Sequence, residues 1–159
     1  MKKTTLLIGL AVIVAAPFLV AFLPVSISCP IKPGSPVEEG IKFEKEGWEH
    51  ALLESKKQNK LVFLDAYTSW CEPCKLLKKK TFTDKTAGNF FNTNFINVAV
   101  DMEKGIGVSL SKKYGVTAYP TLVIADSTGN IVTYTKGYIS PQQLIEFGKY
   151  AISQKATGF

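Results

Sequence analysis

The sequence predicts an α/β domain with a central mixed β-sheet flanked by helices on both faces. Three observations lead there. Short apolar runs rich in strand formers alternate with stretches of helical period, the order expected of strand–helix–strand crossovers. Near the C-terminus the alternation gives way to two strand-like runs separated only by "STG", a hairpin signal that requires an antiparallel pair. A last amphipathic segment with complete start signals then closes the domain with a helix.

The elements follow in order. "EGWEHALLESKKQ" places Trp48, Ala51, Leu52 and Ser55 on one face of a helix. "KLVFLDAY" is apolar and short enough to be a buried strand. "CKLLKKKTFTDKTAGNFFN" has the composition of a helix, with a break expected near Thr83-Asp84. "FINVAVD" reads as a second buried strand. "GVSLSKKYGV" is a short helix whose C-cap falls on Gly115. "TLVIAD" and "NIVTYTKG" form the hairpin. "SPQQLIEFGKYAIS" starts with Ser140 as N-cap, Pro141 at the first helical position and Gln143 completing a capping box. Its Leu144, Phe147 and Ala151 share a face. Crossovers between parallel strands should be right-handed.

The ends of the 159-residue chain differ from this middle. Residues 1–28 carry Lys2 and Lys3 and then an uncharged apolar run from Leu6 to Val25. That is the pattern of a secretory signal, and the run is also long enough to cross a bilayer. Three outcomes are open: a retained membrane anchor, ordinary cleavage, or lipid attachment at Cys29. All three take the remaining chain out of the cytoplasm, in the orientation favoured by the N-terminal lysines. Residues 29–40 hold three prolines and two glycines and read as an extended tether. The folded domain is expected over 41–153, with 154–159 as a tail. That length supports a real core without disulfide stapling.

The net charge is +6, and all nineteen basic residues are lysines. Without arginine, bidentate recognition of phosphates or bases is not expected, so nucleic acid is not a predicted partner. The lysines of "KLLKKK" read either as a solvated helix face or as a patch for acidic partners or the membrane surface.

The chemistry concentrates in "WCEPCK". Zinc needs four ligands, and the chain offers Cys71, Cys74, the lone His50, and Cys29 beyond the tether. A purely structural disulfide across so short a loop removes little chain entropy. The redox reading has a direct mechanism. A Cys-x-x-Cys at a strand-to-helix junction puts the first sulfur among free amides at the positive end of a helix, where a thiolate is stabilised. Cys71 is then the nucleophile, and the less exposed Cys74 resolves the mixed disulfide. Pro73 suits a first helical turn, and Trp70 is either aromatic cover for the sulfurs or plain packing.

"WCEPCK" resembles the Trp-Cys-Gly-Pro-Cys-Lys site of the thioredoxin family, with Glu72 in place of Gly. The likeness extends over some 110 residues. Asp65, six residues before Cys71, corresponds to the family's buried acid; "GVTAYPTLV" is similar to its cis-proline loop; "TKGYIS" is similar to its late strand and glycine, here Gly137. "KKKTFTDKTAGNFFNTNFINVAVDMEKG" further resembles a secreted branch of the family. That branch includes the thiol domain of the membrane protein that carries reducing power to the bacterial periplasm.

The resemblance implies a thioredoxin fold and a set of roles. Asp65 would act through water as base on Cys74, its carboxyl raised by desolvation. Pro120 would lie cis against Cys71, leaving the backbone of Tyr119 free to pair with an extended substrate. Gly137 would make room for that peptide or simply bend the strand. Two departures stand out. The family often pairs the acid with a lysine on the next strand, where this chain has Asn97. Glu72 puts negative charge beside Cys71, which raises its thiol by repulsion.

Strong oxidants of the family carry a histidine between the cysteines, and this chain has none there. The expectation is therefore an extracytoplasmic reductase of protein disulfides, recharged by a membrane thiol donor. It needs no metal and no cofactor beyond the Cys71–Cys74 couple. The alternatives are a disulfide oxidase or isomerase, and a peptide clamp that keeps the fold with idle cysteines.

Overall fold

A computed structural model of the protein describes residues 40–156. The expected signal or anchor, Cys29, the tether to residue 39 and the last three residues lie outside the described residues.

The element order is α1 (Trp48–Gln58), β1 (Leu61–Tyr67), α2 (Glu72–Leu76), α3 (Lys85–Asn94), β2 (Phe95–Asp101), α4 (Ile106–Tyr114), β3 (Thr121–Ala125), β4 (Ile131–Lys136) and α5 (Pro141–Ala156). The strands form one sheet in the order β2-β1-β3-β4. β1 runs parallel to β2, with Asp65 opposite Ala99 and Tyr67 opposite Asp101. It runs antiparallel to β3, with Asp65 opposite Leu122. β3 and β4 are the antiparallel hairpin, with an irregularity at Ile124/Ala125. The sheet is mixed, as the sequence predicts.

Alternation along β1 divides the interior into two layers. Val62, Leu64 and Ala66 pack with Trp48 and Ala51 of α1 and Leu110 of α4. Leu61 and Phe63 pack with Leu77, Phe91 of α3, and Leu144 and Ala151 of α5. Asp65 follows the second set, so its carboxyl enters that layer with no water-facing side.

The helix after the cysteines is not continuous. α2 lasts five residues and passes into a π-helical turn, Leu77–Thr81, closed by the Phe82 amide on the Leu77 carbonyl at 3.0 Å. Leu77 and Thr81 are both buried, and the Thr81 hydroxyl donates to the Ile139 carbonyl at 2.7 Å. One extra residue in the turn lets both ends point inward. The expected break falls at Asp84, whose side chain caps α3 by accepting the Ala87 amide at 2.8 Å. Gly115 ends α4 in the left-handed conformation, φ 59°. Ser140 and Gln143 exchange the reciprocal bonds of a capping box at 2.8 and 3.3 Å. α5 runs three residues past the expected domain end, to Ala156.

Residues 40–44 form a strap across the domain. The Ile41 amide donates to the Phe82 carbonyl at 2.7 Å, and the Glu44 amide to the Asn97 carbonyl at 2.7 Å on the outer edge of β2. Asn92 accepts the Lys42 amide and donates to the Gly40 carbonyl. Gly40 lies so close to Gly88 of α3 that a Cβ on Gly88 would collide with the Gly40 backbone. In an open helix, Gly to Ala stabilises by about 1 kcal/mol. Here the collision is with backbone that is pinned by hydrogen bonds, so overpacking decides the sign. Gly88→Ala is expected to destabilise by about 2 kcal/mol. Urea unfolding checks this, and a gain in stability would mean that the strap is loosely held.

Candidate active site

β1 ends at Tyr67, and the chain turns through Thr68–Trp70 into α2. Cys71 is the N-cap residue with extended backbone, and its sulfur accepts the Cys74 amide at 3.1 Å. Glu72 and Pro73 open the helix; Pro73 has no amide to leave unmatched there. The two cysteines are joined as a disulfide with their Cα atoms 5.3 Å apart. Cys71 is 3 % exposed and Cys74 1 %. Among the described residues no group of three or more His, Cys, Asp or Glu side chains could hold a metal ion.

Asp65 is fully buried on the face of β1 that packs against the turn after α2, and neither carboxylate oxygen has a hydrogen-bond partner. Burial pushes its carboxyl up to about 7; the Lys78 ammonium pulls the other way. The lysine that the family often carries on β2 is absent, and the structure shows what Asn97 does instead. Its amide donates to the Lys42 carbonyl and to Asn92, both at 3.2 Å, holding the strap. Lys78 reaches the neighbourhood of Asp65 from the π-helical turn, with Nζ 3.2 Å from the Tyr67 ring centroid. Lys79 and Lys80 are exposed, as a solvated face would be.

The negative charge of Glu72 is not left alone beside Cys71. Its carboxylate pairs with Lys75 in the next turn, on the exposed side of α2. An exposed pair of this kind is weak, but it offsets the repulsion that the sequence alone suggests.

The Tyr119–Pro120 peptide bond is cis, and Pro120 is buried. Thr121 steadies the loop by donating to the Ala118 carbonyl at 2.7 Å. The Pro120 carbonyl accepts the Gly137 amide at 2.8 Å, whereas among the described residues no backbone hydrogen bond outside helices and strands engages Tyr119. Gly137 has φ 85°, and a Cβ there would meet nothing within 4 Å. Its backbone angle, rather than crowding by the protein, favours glycine.

Trp70 is 62 % exposed. Its indole donates to Glu103 at 2.9 Å, and its ring meets Tyr119 edge-on at 5.9 Å. The Trp70 side chain thus bridges the cysteine turn and the cis-proline loop. Glu103 and Lys78 were not legible as site residues. The one available signal for Lys78 was its place four residues after Cys74, on the same helical face.

A disulfide at the N-cap of a helix, following a strand that buries an acid and linked through Trp70 to a cis-proline loop, is the arrangement of a thiol–disulfide oxidoreductase. The comparisons give its family: the thioredoxin-like domain model matches residues 48–152, and the chain belongs to that family. It is 33 % identical over 95 residues to the thiol:disulfide interchange protein DsbD of Yersinia pestis, covering 58 % of this chain but only 16 % of that protein. It is 31 % identical over 85 residues to thioredoxin H2 of Arabidopsis thaliana, covering 53 % of this chain and 59 % of that protein. Among solved structures, a candidate disulphide-isomerase from Bacteroides thetaiotaomicron is 41 % identical, with a TM-score of 0.64 over 72 % of this chain and 94 % of that one.

The burial of Asp65 has a thermodynamic signature. Its folded pKa lies above its unfolded value of 3.8, so the folded state binds the extra proton between about pH 4 and 7. Stability is therefore lost as pH rises through that window. At pH 8, Asp65→Ala is expected to stabilise the oxidised protein by about 3 kcal/mol, net of a small cavity term, with little gain at pH 4. Urea unfolding at the two pH values checks this; an equal effect at both would remove the buried-acid account.

Proposed function

We propose that this protein is an extracytoplasmic reductase of protein disulfides. The observation that carries the reading is the Cys71–Cys74 pair at the N-terminus of α2, which follows the strand that buries the Asp65 carboxyl. The N-terminal signal-like segment, the lack of a histidine between the cysteines and the likeness to DsbD support the compartment and the direction.

The reduced protein starts with Cys71 as a thiolate, stabilised by the helix amides. It attacks one sulfur of a substrate disulfide; the other substrate sulfur leaves as a thiolate and takes a proton from water. Asp65, as carboxylate, accepts the Cys74 proton through a water molecule. The Cys74 thiolate attacks the Cys71 sulfur, breaks its bond to the substrate and expels the second substrate thiolate. Two electrons pass to the substrate, and the protein is left as the Cys71–Cys74 disulfide. A thiol donor must return those electrons, and the donor proposed is a membrane protein. Trp70, Tyr119, Pro120 and Gly137 receive the substrate, with Tyr119 offering its backbone to an extended peptide. Glu72 and Pro73 tune Cys71. Retention of the N-terminal segment, or a lipid on Cys29, would hold the domain at the membrane and raise the local concentration of donor.

Equilibration against a glutathione series is expected to give a midpoint nearer thioredoxin's value of about −270 mV than the roughly −120 mV of a strong oxidant. The likeness to a candidate disulphide-isomerase favours a second reading, and a midpoint above about −180 mV would select it.

Trapping separates either reading from a peptide clamp with idle cysteines. Cys74→Ser is expected to accumulate mixed disulfides that survive non-reducing electrophoresis, and Cys71→Ser to accumulate none.

A further inference from the structure

We propose that Lys78 is a positioning residue of this site: its ammonium, carried by the π-helical turn and held over the Tyr67 ring, favours the ionised form of Asp65 and so eases deprotonation of Cys74. The inference rests on the thiol–disulfide reading above and adds to it a residue from outside the matching motifs.

The placement is geometric. Nζ of Lys78 stands 3.2 Å from the centroid of Tyr67. Tyr67 and Asp65 are alternate residues of β1 and point to the same face, about 7 Å apart along the strand. The turn that carries Lys78 is fixed on both sides of it, by buried Leu77 before and by buried Thr81 after, the latter bonded to the Ile139 carbonyl. Lysine is a flexible side chain, and a cation–π contact restricts it.

One other acid shares the Lys78 charge: Asp101, whose carboxylate it also favours. On β1 Tyr67 shares the face of Asp65, and on β2 Asp101 stands opposite Tyr67, with its carboxylate bonded to Lys104 at 3.0 Å. β3 places Leu122 opposite Asp65, and α5 brings Leu144 to the same layer. Lys75 turns away to Glu72. Lys78 is the one charged side chain that acts on Asp65 among the described residues.

A positive charge at the rim lowers the cost of ionising a buried acid without filling the layer with a second buried charge. The base is then available at neutral pH in a site that would otherwise hold it protonated. Asn97 is released from that duty and secures the strap instead.

The test is a titration of the Asp65 carboxyl by carbon-13 NMR in the oxidised protein carrying Cys29→Ser, where no thiol titrates. The expected result is an upward shift of the midpoint by half a pH unit or more in Lys78→Met, with Lys78→Arg and the exposed-neighbour control Lys79→Met close to wild type. With Ellman's reagent added to the reduced protein in the same Cys29→Ser background, the second thiolate release reports attack by Cys74. At pH 6.5 it is expected to slow about threefold in Lys78→Met, the factor that half a unit gives. Rates should converge above pH 8.5. An unmoved midpoint in folded Lys78→Met overturns the proposal, as does an equal shift in Lys79→Met. The NMR midpoint is read without substrate or donor, so it stands or falls separately from the direction of electron flow.

Discussion

The carboxyl of Asp65 lies in an apolar layer with no hydrogen bond from the protein, and most of the site's chemistry depends on that burial. An acid in water would be ionised at neutral pH and too weak a base for a thiol. In the layer shared by Phe63, Leu77 and Leu122 it holds its proton to about pH 7. In the proposed mechanism it takes a proton from Cys74 and gives it back, which a dithiol needs because it is oxidised and reduced in turn. The cost falls on the fold. A domain with this acid is less stable than its core alone would make it, in the way that active sites commonly are.

The other half of the site is assembled by backbone. Cys71 occupies the N-cap of α2, so its sulfur receives the amide of Cys74 instead of competing with a side-chain oxygen. Across from it the cis Tyr119–Pro120 bond turns the chain into β3, and the amide of Gly137 ties down the Pro120 carbonyl. The Trp70 ring leans on Tyr119 and is held at its far edge by Glu103. The sulfur pair, the cis-proline loop and the Trp70 ring are thereby fixed relative to one another by three separate elements.

Much of this was legible from local signals. Strand and helix order follows from hydrophobic period, and Gly115, Asp84 and the Ser140–Gln143 box mark helix ends because the orphan amides and carbonyls there must find partners. Asp65 and Cys71 are readable because a strand leading into a helix fixes where both side chains go. What stayed hidden depends on long-range packing. The π-helical turn has no composition of its own; it arises because Leu77 and Thr81 must both face inward. Lys78 looks like any lysine in a solvated run until that turn sets it over Tyr67. Asn97 appeared as a missing lysine, and one of its partners, the Lys42 carbonyl, lies on a strap 55 residues away in sequence.

The strap has a bearing on how molecules of this protein meet. An open sheet has two borders, and each exposes unpaired amides and carbonyls that can recruit a neighbouring chain. Here β2 and β4 are the borders, and the Glu44 amide already occupies the Asn97 carbonyl midway along β2. Growth of the sheet from molecule to molecule is thus interrupted on one side. Association through β4 alone would pair two copies edge to edge and stop, since a self-matching contact closes on itself. A five-residue segment that looks like packing thereby occupies part of a sheet edge that would otherwise be open to a neighbouring chain.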